Sequence, residues 1–193
     1  LGECDRLDVR VMTIQDADYP MRLRQIADPP AVLYLKGRRL HFDEEAAIAV
    51  VGTRSCTPYG LRCAHRMGYE LARQGAVVVS GMAKGIDGAA MRGALQAGGF
   101  TAAVLGGGVD VVYPAENRRL YEDIAATGVL LSEYPPGTEP LPGHFPVRNR
   151  IISGLSLASL VVEAPVRSGA LITAHAALDQ GRDVFAVPGP IDA

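Results

Sequence analysis

The chain has 193 residues, 48% of them hydrophobic and 21% charged, which suits one sizeable α/β domain with an appendage and excludes a disordered polypeptide. Its formal net charge of −2 excludes a global basic field, so any affinity for nucleic acid has to come from a local patch. Three cysteines without C-x-x-C spacing and four scattered histidines without H-E-x-x-H give no disulfide framework and no metal signature, which points to a reducing cytoplasmic setting, and no apolar run reaches membrane-spanning length.

Residues 1–42 read as an N-terminal extension that packs on the main domain, with a short strand at Val9 to Ile14, a helical stretch around Met21 to Ile26 and a strand from Val32 to Lys36. From Ala46 onward a repeating order of strand, glycine-rich turn and helix sets in. The predicted strands are Ala47 to Val51, Ala76 to Val79, Thr101 to Leu105, Gly128 to Leu131, Leu160 to Val162 and Asp183 to Val187. The helices between them run from Thr57-Pro58 to about Gln74, from Asp87 to Ala97, from Asn117 to Ala125, from just after Pro146 to about Ala158, and from Gly169 to Gln180 with Ser168 as cap. Short buried strands alternating with helices specify a doubly wound, mostly parallel sheet with helices on both faces. In such a sheet the loops that follow the strands gather at one edge, where ligands bind.

Those loops carry the candidate chemistry. Gly52-Thr53-Arg54 puts a fork-shaped cation directly after a strand, a natural phosphate contact, with an ordinary turn as the alternative. Ser80-Gly81-Met82-Ala83-Lys84-Gly85-Ile86-Asp87 spaces small residues so that a ligand can approach the backbone. Lys84 is a phosphate candidate there, and Asp87 is either an acid or a helix cap. Gly106-Gly107-Gly108 fails the dinucleotide register, because the third position after Gly108 is Val111. No G-x-x-x-x-G-K-[ST] run is present. Tyr59 and Tyr113 are rings that could stack bases but are expected mainly to pack, and Cys56 is expected to be a bystander near a helix start.

The stretch His144 to Ser156, H-F-P-V-R-N-R-I-I-S-G-L-S, is the densest of these. Pro146 is expected to start a helix and to leave Phe145 outside it on an extended arm, free as a platform. Arg148, Asn149 and Arg150 then fall in the first turn, where two arginines oppose the helix dipole and call for an anion. An aromatic beside phosphate-binding arginines is what a single strand of nucleic acid requires.

Taken together, the chain resembles the DNA-processing protein A (DprA/Smf) family. The residues that carry this are V-G-T-R-x-x-T-x-Y-G at 51–60, S-G-M-A-x-G-I-D at 80–87, L-G-G-G-V-D-x-x-Y-P at 105–114, L-S-E-Y-P-P-G at 131–137, F-P-x-R-N-R-I-I-S-G-L-S at 145–156, and S-G-A-L-I-T-A with G-R-D-V-F-A-V-P-G in 168–189. The resemblance implies a Rossmann-like domain over 43–193 that binds and protects single-stranded DNA without sequence preference and helps load the RecA recombinase in natural transformation. It implies neither catalysis nor a cofactor, and a homodimer in the full-length protein. Residue by residue, it implies phosphate contacts at Arg54, Arg148 and Arg150, base stacking at Phe145, and loop positions around the pocket at Gly81, Asn149, Ser168 and Gly169, with Lys84 in the same loop set. Leu1 is not an initiating methionine and Ala193 follows closely on a strand-like run, so a fragment is expected, without the family's N-terminal helical domain and the last part of its core. The alternative from another class is a nucleotide-binding phosphoribohydrolase of the lysine-decarboxylase-like Rossmann family with Glu163 as its carboxylate. Its P-G-G-x-G-T signature is absent, since Pro188-Gly189 is followed by Pro190.

Overall fold

A computed structural model describes residues 2–189. The lead segment contributes a short helix α1 (Gly2–Arg6), strand β1 (Arg10–Thr13), a one-turn helix α2 (Met21–Arg24) and strand β2 (Val32–Gly37). The alternating part follows: β3 (Ala47–Val51), α3 (Pro58–Arg73), β4 (Val77–Ser80), α4 (Ile86–Gln96), β5 (Thr101–Val104), α5 (Arg118–Thr127), β6 (Val129–Ser132), α6 (His144–Gly154), β7 (Ala158–Val161), α7 (Gly169–Asp179) and β8 (Asp183–Ala186). All strands join one sheet in the order β1-β2-β6-β5-β4-β3-β7-β8. Strands β3 to β8 are parallel, and β2 attaches antiparallel to β6 with β1 antiparallel outside it. The architecture is therefore α/β, Rossmann-like and mostly parallel, with the order reversing between β3 and β7.

The two-residue period of the strands divides the core into two layers. Ala47, Ala49 and Val51 of β3, Val77 and Val79 of β4, Ala102 and Val104 of β5, and Val129 and Leu131 of β6 face one way, onto Leu23 of α2, Ile151 and Ile152 of α6 and Ala170 and Ala174 of α7. Val50 and Val78 face the other way onto Ala64 and Ala72 of α3 and Ala90 and Ala94 of α4, while Ala103 and Leu130 meet Met91, Leu120 and Ile124. The lead segment is fastened by Tyr19, which is 1% exposed and donates its hydroxyl to the Pro30 carbonyl at 2.7 Å.

Helix α6 begins at His144, not after Pro146. Proline is tolerated in a first turn because its missing N–H would have had no partner there, so the helix starts around it. Phe145 consequently lies in the first turn rather than on an extended arm, and Arg148, Asn149 and Arg150 move into the second. Helix α6 also stops at Gly154, because Leu157 donates its amide to the Ala47 carbonyl at 2.8 Å and Ala158 is already paired with Ile48 in the sheet. Thr57 and Ser168 cap α3 and α7 as expected, accepting from Gly60 N and Ala170 N. Asp87 is not a cap: Gly85 holds that position in α4 and Asp87 follows inside the first turn.

Candidate nucleic-acid interface

The loops after β3, β4, β5 and β6 meet the start of α6 at the carboxyl edge of the sheet around a hollow of about 230 Å³. Arg54, Gly81, Lys84, Phe145 and Arg148 line it, together with Gly106, Tyr113 and Pro140. Asn149, Ser168 and Gly169 line an adjoining hollow. Eight of the nine residues singled out from the sequence thus come together, and Arg150 does not.

Phe145 is the centre of the arrangement. Its first-turn position on α6 sets the ring against Gly106, where a Cβ would come within 2.9 Å of it, so the seat requires glycine. The Arg54 guanidinium lies over the ring at 4.9 Å from the centroid and that of Arg148 at 5.7 Å. Tyr113 flanks it with ring centroids 5.5 Å apart and is itself 43% exposed. His144, the residue before, stacks on Tyr134 at 4.1 Å, and its Nδ1 is 2.9 Å from the Gly106 carbonyl oxygen, which fixes the start of the helix against the β5 loop.

The four cations on the His144 to Ser156 side and the loops opposite differ sharply in availability. Arg54 is exposed and makes no ion pair among the described residues. Arg148 is 4% exposed: its Nη1 donates to the carbonyls of Gly81, at 3.0 Å, and Val104, and its Nε donates to Asn149 Oδ1 at 3.2 Å. Gly81 is required at this point, because a Cβ would stand 2.7 Å from the guanidinium, and its N–H donates in turn to the buried Asp87 carboxylate at 3.1 Å. The Gly81 peptide therefore links a buried cation to a buried anion. Burial lowers the Arg148 pKa to about 10 against the pull of Asp87, which leaves it protonated at neutral pH, and burial raises that of Asp87 against the pull of Arg148 and the loop amides.

Arg150 points elsewhere. It forms a two-pronged pair with Glu133 at 2.7 and 2.8 Å and donates through Nε to the Asp28 carbonyl at 2.9 Å, tying α6 to the β6 loop and to the lead segment. Residues two apart on a helix diverge by about 200°, so Arg148 and Arg150 could not both face the hollow. Lys84 reaches the rim but is ion-paired there with Glu116, and both side chains are more than half exposed. Glu163, the carboxylate of the phosphoribohydrolase alternative, accepts from Thr57 N at 2.9 Å and from the Thr57 hydroxyl at 2.7 Å, so it is committed to the entry of α3. Burial raises the Cys56 thiol pKa, and Tyr59 packs by donating to the Pro188 carbonyl at 2.9 Å. Among the described residues no group of three His, Cys, Asp or Glu side chains is placed to hold a metal, and no helix is long and apolar enough to cross a membrane.

Two participants escape sequence reasoning. Glu133 gives no sign that it pairs with Arg150, and Arg167 precedes the cap Ser168 and lines the second hollow. Only Arg167 had a local signal, as a cation at the entry to a helix.

Residues 10–193 match the family model described as DNA recombination-mediator protein A. The chain is 47% identical to Protein Smf of Synechocystis, covering 100% of this chain and 49% of that protein, and 46% identical to DNA processing protein DprA of Bacillus subtilis, covering 95% and 62%. It therefore spans about half to three-fifths of the length of these relatives. The crystal structure of DNA processing protein A from Streptococcus pneumoniae superposes with a TM-score of 0.90 at 45% identity, over 98% of this chain and 67% of that one. DNA processing protein A from Helicobacter pylori, studied for its single-stranded DNA binding mode, superposes with a TM-score of 0.85 at 32% identity, over 95% and 83%. A molybdenum cofactor binding protein from Rippkaea orientalis, at 22% identity and a TM-score of 0.53, shares the fold alone.

Proposed function

The chain belongs to the DNA recombination-mediator protein A family, the DprA/Smf family, and we propose that its sheet-edge cradle binds single-stranded DNA without sequence preference. The observation that carries this reading is the Arg54–Phe145 stack at 4.9 Å with Tyr113 beside it: an aromatic face for a base and an unpaired guanidinium for the adjacent phosphate. Base edges are read by hydrogen bonds, and the walls offer chiefly backbone and apolar groups around the ring, which supports stacking over readout.

In this reading Arg54 and Phe145 contact the strand directly, and Gly81, Asn149, Ser168 and Gly169 shape the walls. Arg148 holds the β4 and β5 loops against α6 and presents at most its Nη2 edge to the ligand, since Nε and Nη1 are committed to protein acceptors. Arg150 supports the cradle from behind through Glu133. Family membership further supports a role in protecting the strand and handing it to RecA during natural transformation in the cytoplasm, and a homodimer as the working form of the full-length protein.

The test is fluorescence anisotropy of a labelled oligo-dT and of the matching duplex, at low and moderate salt. Binding that prefers the single strand and weakens as salt rises is expected. Equal affinity for both forms, or affinity indifferent to salt, would sink the reading.

A further inference from the structure

The Arg54–Phe145–Tyr113 group is a ridge between two hollows: the one of about 230 Å³ on the Lys84 side, and a second of about 560 Å³ on the side of the β7 to α7 loop. Arg54, Tyr113, Phe145 and Arg148 belong to the walls of both. The second hollow is lined on the β7 to α7 loop by Pro165 and by Arg167, whose side chain is exposed and makes no hydrogen bond or ion pair among the described residues. Its acidic wall residue, Asp87, is 6% exposed and already accepts the Gly81 amide. The first hollow has the opposite balance, because Glu116 holds the ammonium of Lys84. The two sides of one aromatic platform therefore differ in charge: one cation is free and the other is compensated.

We propose that the second hollow is a phosphate subsite in its own right, with Arg167 as its cation, so that a strand stacked on Phe145 straddles the ridge and is held more firmly on the Arg167 side than on the Lys84 side. The inference rests on the single-strand reading above. An exposed guanidinium with no carboxylate to displace gains a phosphate without first losing a partner, whereas Lys84 must exchange Glu116 for it. Arg167 also offers two parallel N–H donors to a phosphate, where Lys84 offers a point charge.

The experiment compares wild type with Arg167→Ala, Arg167→Lys, Lys84→Ala and Arg54→Ala in anisotropy titrations against labelled oligo-dT across a salt series. Arg167→Ala is expected to bind on the order of tenfold more weakly at low salt, the scale of one lost charged hydrogen bond. Its slope of log K against log salt should be shallower by about 0.7, the value for one phosphate on a single strand. Arg167→Lys should recover the slope, and Lys84→Ala should lose less than Arg167→Ala. If Arg167→Ala matches wild type in affinity and slope while Arg54→Ala fails to bind, the subsite is refuted and the single-strand reading stands. If wild type itself does not bind the oligonucleotide at low salt, both fall together. Arg167 lies exposed on a loop, so an unchanged melting temperature in the same variant separates lost contact from lost fold.

Discussion

Replacing Arg148 with alanine should unfold the cradle before it changes any contact with a phosphate. The side chain is 4% exposed and supplies donors to the Gly81 and Val104 carbonyls and to Asn149 Oδ1, while its charge offsets that of Asp87, which is 6% exposed. Its removal leaves two loop carbonyls short of a donor and a buried carboxylate without its cation. Losing one partner of a buried pair, with the orphaned acceptors included, costs about 3–5 kcal/mol. For a domain of this size each kcal/mol moves the melting temperature by about 2–4 °C, so a fall of roughly 6–20 °C is expected in scanning calorimetry. Arg54→Ala is the control: an exposed side chain whose loss should change stability by no more than about 0.5 kcal/mol while removing most of the affinity for single strands. An Arg148→Ala protein that melts like wild type and loses only salt-dependent binding would refute the assignment of this arginine to the scaffold.

Phe145→Ala should weaken oligo-dT binding by about 1–3 kcal/mol and leave the salt slope unchanged, because a stacking face and no charge is removed; titration at several salt concentrations reads both quantities. Glu116→Gln should free Lys84, so that affinity rises and the salt slope steepens by up to about 0.7, with an unchanged or weaker interaction counting against Lys84 as a potential contact. Arg150→Ala should lower stability by about 1–3 kcal/mol in urea unfolding, less than a fully buried pair because Arg150 and Glu133 are each 17% exposed, with the salt slope of binding as in wild type.

The alternation of short apolar strands with capped helices was legible because each signal is local: a run of Ala and Val in a strand, Thr57 or Ser168 before a helix. The gathering of five loops at one edge followed from topology alone. The start of α6 was misplaced because Pro146 has two opposite meanings, a breaker inside a helix and a tolerated member of its first turn, and tertiary contact of His144 with the β5 loop decides between them. With the start shifted, Phe145 still reaches the cradle, but it does so as part of a rigid helix, seated against Gly106. What remained hidden was pairing at long range. Arg150 meets Glu133, Lys84 meets Glu116, and Arg148 works through the Gly81 peptide with Asp87, and no local pattern marks which carboxylate each cation will find. The arginines therefore looked equivalent in the sequence, and the structure separates one that is free from one buried in the wall and one spent on the scaffold.

Photocrosslinking an oligo-dT that carries one 5-iodouracil, with the modified peptide identified by mass spectrometry, reads out whether a single strand is held on the Phe145 platform. A crosslink at Phe145 or at the adjacent Tyr113, suppressed by excess unlabelled oligo-dT, is expected. A crosslink confined to another face of the protein, such as the outer edge of the sheet at β1, would mean that the strand is held elsewhere.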